Sequence, residues 1–96
     1  MTTKQLIIHL KEGNEQAFEN VYREYYKGLC AFASQYITDT EECEEIVQDV
    51  MLWPWENRSA LLPEMSIKSL LFTIAKNKCL NSIIHSQIKQ RAHAHL

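Results

Sequence analysis

EQAFENVYREYYKGLCAFASQYI (Glu15–Ile37) carries its apolar side chains at steps of three and four residues. Phe18, Val21, Tyr22, Tyr25, Leu29, Phe32, Ala33 and Tyr36 therefore share one stripe of a helix instead of alternating across a strand. The tyrosines and phenylalanines of this stripe read as core and not as a platform for stacked bases. Upstream, Gly13 ends a short helix over about 3–12, with Leu6, Ile7 and Leu10 on one side, and Asn14 can cap the long helix. Downstream, TDTEECEE (Thr38–Glu45) opens a third helix over about 40–53. Thr38 and Glu41 have capping-box spacing, and Thr40 is a second candidate cap. Cys43, Ile46, Val47 and Val50 face inward. NRSALLPEMS (Asn57–Ser66) is a loop broken by Pro63, and Ser66 can cap a fourth helix over about 67–90. Ile67, Leu70, Leu71, Ile74, Leu80, Ile84 and Ile88 form its apolar side. Residues 91–96 are expected to be a flexible tail. With no strand pattern and no repeat, the fold class is all-α: a compact bundle of about four helices.

Composition agrees with this. A chain of 96 residues makes one domain with one core. Two glycines, two prolines and 46% hydrophobic residues fit long helices and short connections. The apolar runs are too short to span a bilayer, and the N-terminus lacks the pattern of a signal peptide. The expected setting is cytoplasmic. Cys30, Cys43 and Cys79 form no CxxC pair and are odd in number, so they read as reduced thiols on or beside apolar stripes.

Charge divides the chain. Up to Glu64 there are 12 Asp+Glu against 5 Lys+Arg, a formal −7, and beyond it 5 Lys+Arg and no acid, +5, giving −2 in all. An acidic first half does not favour a polyanion, and a basic, acid-free second half does. Two faces are implied, one for a protein and one for nucleic acid. Glu41, Glu42, Glu44 and Glu45 partly compensate the dipole of the third helix, but Asp49 lies beyond its first turn. Glu45, Gln48 and Asp49 project away from the inward side, with Leu52 beside them. On the fourth helix Lys68, Lys76, Asn77, Lys78 and Asn81 are left for solvent or a ligand.

No catalytic constellation is visible, and an enzyme is not expected. There is no glycine-rich phosphate loop, and no Ser or Cys has evident His and Asp partners. His93 and His95 form an HxH pair without further ligands, so neither a metal nor a cofactor is expected. His9 and His85 read as lone surface residues.

EEIVQDVMLWPWENR (Glu44–Arg58), followed by KSLLFTIAKNKCLN (Lys68–Asn81), resembles a bacterial sigma factor of the sigma-70 family. The likeness is to region two, the promoter-melting domain, of the extracytoplasmic-function (ECF) group, of the kind expanded in Bacteroidetes. AFENVYREYYKGLCAFASQYITD (Ala17–Asp39) is similar to the preceding helix of that family. The resemblance covers about 17–90. It implies that the helix matching 41–57 docks on the clamp helices of the β′ subunit of core RNA polymerase. Glu45, Gln48 and Asp49 occupy the positions of that contact, and Met51, Leu52 and Trp55 would supply apolar area. It implies further that loop 57–66, starting with Asn57 and Arg58, receives a flipped base of the minus-ten promoter element. Lys68, Lys76, Asn77, Lys78 and Asn81 would hold promoter DNA as non-template single strand, Asn77 at a base edge and Lys76 and Lys78 at phosphates. An anti-sigma factor is an implied partner. No membrane partner is implied.

Three departures from the family pattern stand out. Pro54 lacks the N–H that would bond the Val50 carbonyl and disfavours helical geometry at Trp53, so the third helix is expected to end or kink near Trp53. Leu70 stands where many members have an aromatic residue, with Phe72 a possible substitute. Nothing here resembles the family's C-terminal helix-turn-helix, region four, which suggests a fragment. The competing reading is a helical adaptor that binds polymerase or an anti-sigma factor without reading DNA.

Overall fold

The computed structural model describes residues 2–94 as four α-helices and one 3-10 turn, with no strand among the described residues. The helices are α1 Thr3–Lys11, α2 Glu15–Ala33, α3 Thr40–Glu56 and α4 Ile67–Ala94, and the 3-10 turn is Arg58–Ala60. α2, α3 and α4 pack on one another, while α1 lies against α2 and the 3-10 turn. The core is made of Ile7 and Leu10 from α1, Val21 and Leu29 from α2, Val47, Val50 and Met51 from α3, Leu61 from the loop, and Ile67, Leu71 and Cys79 from α4. No polar or charged side chain is buried among the described residues.

The first connection follows the sequence closely. Gly13 has φ 81, and its N–H reaches the Leu10 carbonyl at 3.0 Å while Asn14 reaches that of His9 at 3.0 Å. This paired pattern ends a helix in a left-handed residue, where glycine has no Cβ to clash. The Asn14 side chain then accepts from Ala17 N–H at 3.1 Å and starts α2.

Four boundaries differ from expectation. α2 stops at Ala33 instead of 37, because Gln35 and Tyr36 bond back only three residues, to Phe32 and Ala33. Tyr36 and Ile37 still pack on the core beyond the helix end, so the apolar stripe outlasts the helix. α3 is capped by Asp39, whose carboxylate accepts from Glu41 N–H at 2.9 Å and Glu42 N–H at 3.4 Å, and neither Thr38 nor Thr40 is the cap. A carboxylate is the strongest acceptor available there and also meets the positive end of the dipole.

α3 also runs through Pro54 to Glu56 instead of ending near Trp53. The proline sits in the last turn with its ring buried, and the turn is closed by Asn57 N–H on the Trp53 carbonyl at 2.9 Å. Only one helical bond is lost, and burial of the ring offsets it. Finally, α4 continues to Ala94, past the expected end at 90. Ser66 caps it, its hydroxyl accepting from Ser69 N–H at 3.1 Å. Leu80, Ile84 and Ile88 do not join the core as expected but are exposed, because they lie on the side of α4 turned away from Ala75, Cys79 and Ile83, which pack on the bundle. His95 and Leu96, and the side chain of His93, lie outside the described residues.

Candidate interaction faces

On α3, the residues on the side away from Val47 and Val50 are Glu41, Glu45, Gln48, Asp49, Leu52 and Glu56. Steps of three and four residues line them up along one edge. Glu45, Gln48 and Asp49 are exposed, and Leu52 is 42% exposed among them. No ion pair or hydrogen bond ties the side chains of Glu45, Gln48 or Asp49 to the rest of the described chain. The middle of this rigid helical edge, Glu45, Gln48, Asp49 and Leu52, thus presents two carboxylates, one amide and one apolar side chain, free to meet a partner.

Trp55 stands apart from this edge. It is half-buried, its ring centroid is 5.2 Å from that of Phe18, and the Arg58 guanidinium lies 4.7 Å above it. Trp55 thus joins the C-terminal turn of α3 to the start of α2, and only its remaining surface is available to a partner.

Asn57 and Arg58 hold the helix end. The Asn57 amide donates to the Trp53 carbonyl at 3.0 Å, and Arg58 donates to the Trp55 carbonyl at 2.9 Å. The loop that follows is pinned from both sides. Leu61 is fully buried, and the Lys11 ammonium of α1 donates to its carbonyl at 2.7 Å. Leu62 next to it is exposed, its N–H directed at the Met65 sulfur at 3.3 Å. Lys11 was missed from the sequence, because nothing local announces a contact fifty residues away.

On α4, Lys68, Lys76, Asn77 and Asn81 are exposed and Lys78 is half-buried. They do not share one face. Successive residues turn by about 100°, so Lys76 and Lys78 point about 160° apart. Asn77 and Asn81 lie one turn apart on the same side, with Lys78 turned toward α3. Lys78 and Asn81 line a shallow groove with Ile46, Asp49, Ser82 and His85. The two expected faces therefore meet: Asp49 from the acidic helix and Lys78 from the acid-free one share a single hollow. Below it, Ser82 donates a hydrogen bond to the Glu42 carboxylate and pins α4 to the first turn of α3. His85 belongs to this groove although it reads as a lone residue in the sequence.

Phe72, the possible substitute for an aromatic at Leu70, packs edge-on against Phe32 with ring centroids 5.2 Å apart. It is half-buried against the core, as is Leu70. Cys43 and Cys79 are buried, Cys30 is half-buried, and all three thiols are free. Burial pushes the Cys43 and Cys79 thiols above their ordinary range. Among the described residues no group of three His, Cys, Asp or Glu side chains could hold a metal ion, and no helix is long and apolar enough to cross a membrane.

The family model for sigma-70 region 2 matches residues 21–87, well over half of the chain. No curated protein and no solved structure matches it.

Proposed function

Since the chain belongs to the sigma-70 region 2 family, with its general role in polymerase binding and promoter recognition, we propose that it docks through α3 and handles the opened promoter strand through α4. The docking edge is Glu45, Gln48, Asp49 and Leu52, with Trp55 bracing the helix end, and its partner is the β′ clamp helices of core RNA polymerase. The observation that carries this reading is that edge: its polar side chains are exposed, aligned and unengaged within the described chain. Carboxylates and an amide on a rigid helix set register against basic residues of a partner, and an apolar neighbour adds affinity.

The strand face is loop 57–66 with Lys68, Lys76, Asn77, Lys78 and Asn81. Extruding a base costs a few kcal/mol, which contacts to the base and backbone must offset. Leu61 and Lys11 support this reading by anchoring the loop beside which an extruded base of the minus-ten element would sit. Asn77 and Asn81 stand one turn apart and suit base edges, because an amide both donates and accepts. We assign the chain to the ECF group, acting in the cytoplasm, without catalytic activity, and under control of an anti-sigma factor.

One observation favours the adaptor reading instead. The cations of α4 are distributed around the helix, and Arg58 is already engaged with Trp55. The two readings separate on salt. Each phosphate contact to single strands contributes about −0.7 to the slope of log affinity against log salt. Strand binding through Lys68, Lys76 and Lys78 then gives a slope of about −2, and an adaptor gives no sequence preference and almost no slope.

The docking test is binding to a β′ clamp-helix fragment, with circular dichroism confirming the fold of each variant. Asp49→Lys is expected to weaken binding at least about tenfold, as for loss of a close interfacial charge pair, and Gln48→Ala by a smaller factor. Unchanged binding by Asp49→Lys would remove α3 as the docking edge.

A further inference from the structure

Beyond Ile83 one side of α4 still borders the bundle, with His85 beside Ile46 and Asp49, and Ser86, Gln87 and Gln90 beside Tyr36, Ile37 and Thr38. The opposite side is uncovered among the described residues, and its exposed side chains form an ordered pattern. Leu80, Ile84 and Ile88 are 38%, 53% and 59% exposed. They follow one another at four-residue steps, with Lys76 one step before them. Side chains at this step form a continuous ridge of the kind that packs into the groove of another helix. A second row at the same step, Asn77, Asn81, His85 and Lys89, runs along one flank. Gln87 and Arg91 lie on the other. No carboxylate occurs anywhere on α4.

Such a surface selects its occupant. An aliphatic ridge between amides and cations is complementary to a helix that presents aliphatic side chains between carboxylates. A second α4 would bring like charges together and is disfavoured. The ridge is narrow and carries no aromatic residue, unlike helices that lie in a bilayer interface. Three branched aliphatic side chains in line offer a nucleic-acid backbone neither charge nor hydrogen bonds. We infer that the C-terminal half of α4 is a docking ridge for an acidic amphipathic helix of another protein, centred on Leu80, Ile84 and Ile88 and oriented by His85, Lys89 and Arg91. The ridge itself contains no α3 residue, although Asn81 and His85 on its flank also border the groove with Asp49, and the inference does not depend on polymerase or strand binding. Its occupant would also cover Lys76, Asn77 and Asn81, so the bound helix and a nucleic-acid strand would exclude each other.

The test uses the 96-residue chain and two synthetic helical peptides. Both have one leucine face, flanked by glutamate in the first and by lysine in the second. Isotope-edited NMR follows the methyl groups of Leu80, Ile84 and Ile88 during titration. The glutamate peptide is expected to bind saturably, shift these methyls, and bind about tenfold or more tighter than the lysine peptide. Ile84→Asp with Ile88→Asp should abolish the binding and leave the bundle folded, since both side chains are exposed and outside the core. Lys89→Glu with Arg91→Glu should turn the preference toward the lysine peptide. Equal binding of the two peptides, or binding that survives the double aspartate variant, overturns the inference. So does dimerisation through the ridge in sedimentation, or flotation of the chain with vesicles of phosphatidylcholine and phosphatidylglycerol. Clamp-helix binding is measured on the same double variant and should be unchanged, which separates failure of the ridge from failure of α3.

Discussion

Asp39 starts α3 with a side chain that accepts from two backbone N–H groups. The spacing of Thr38 and Glu41 pointed to a neighbouring residue, because a capping box is a sequence pattern while the cap itself is decided by which side chain meets the first turn. Asp39→Ala is expected to cost about 1 kcal/mol of stability, and Thr38→Ala almost nothing. Urea unfolding of the two variants measures the difference, and equal losses would return the cap to the threonine. The thiols give a second expectation at this scale. The folded chain holds the Cys43 and Cys79 protons more tightly than the unfolded chain, whose thiols titrate near the ordinary value of 9.0. Their contribution is therefore complete below that value and declines as pH rises through it. The urea midpoint should fall as pH rises above about 9 toward the raised folded value, and Cys79→Ala should reduce the fall. An unchanged pH dependence in that variant would exclude the thiol as a source.

The elements were legible where apolar periodicity was strong and where capping residues stood at the joints. The Gly13–Asn14 joint and the Ser66 cap follow directly from residue type. Helix ends were less legible, for two physical reasons. α2 loses its four-residue bonding before its apolar stripe ends, and α3 survives Pro54 because tertiary burial of the ring outweighs a single missing donor. α4 fails differently: periodicity shows that a side is apolar but not that another helix is present to cover it. Of the candidate face, the α3 edge was legible because spacing alone aligns its residues. The role of Arg58 and Asn57 in closing α3 was not, since a polar residue after a helix can serve the helix or a ligand equally well. The loop between α3 and α4 depends on Leu61, which is fully buried. Leu61→Ala is expected to cost about 2–4 kcal/mol and to loosen loop 57–66 while α3 keeps its exposed edge. Denaturant unfolding gives the first quantity, and amide exchange across the loop gives the second. A loss below about 1 kcal/mol would mean that the loop is held elsewhere.

At the scale of the molecule, the charge division in the sequence becomes a division between helices that touch. The acidic edge of α3 and the lysines of α4 are not at opposite poles, as two independent binding faces would suggest, but meet in the groove of Asp49, Lys78 and His85. The Glu42–Ser82 hydrogen bond fixes the spacing of the two helices there. The overhang of α4 also sets the outline, with extents of 54 × 23 × 19 Å. A body of that shape does not rotate equally about all axes. The N–H vectors of α4 run close to its long direction and reorient only by the slow end-over-end motion, whereas vectors across that direction also feel the faster spin. Nitrogen relaxation should therefore report a longer apparent correlation time for α4 amides than for those of the connecting turns that point sideways. Isotropic values would mean that the overhang bends back in solution. A helix that outlasts its own bundle thus behaves as a pointer, and its direction can be read from how the molecule turns.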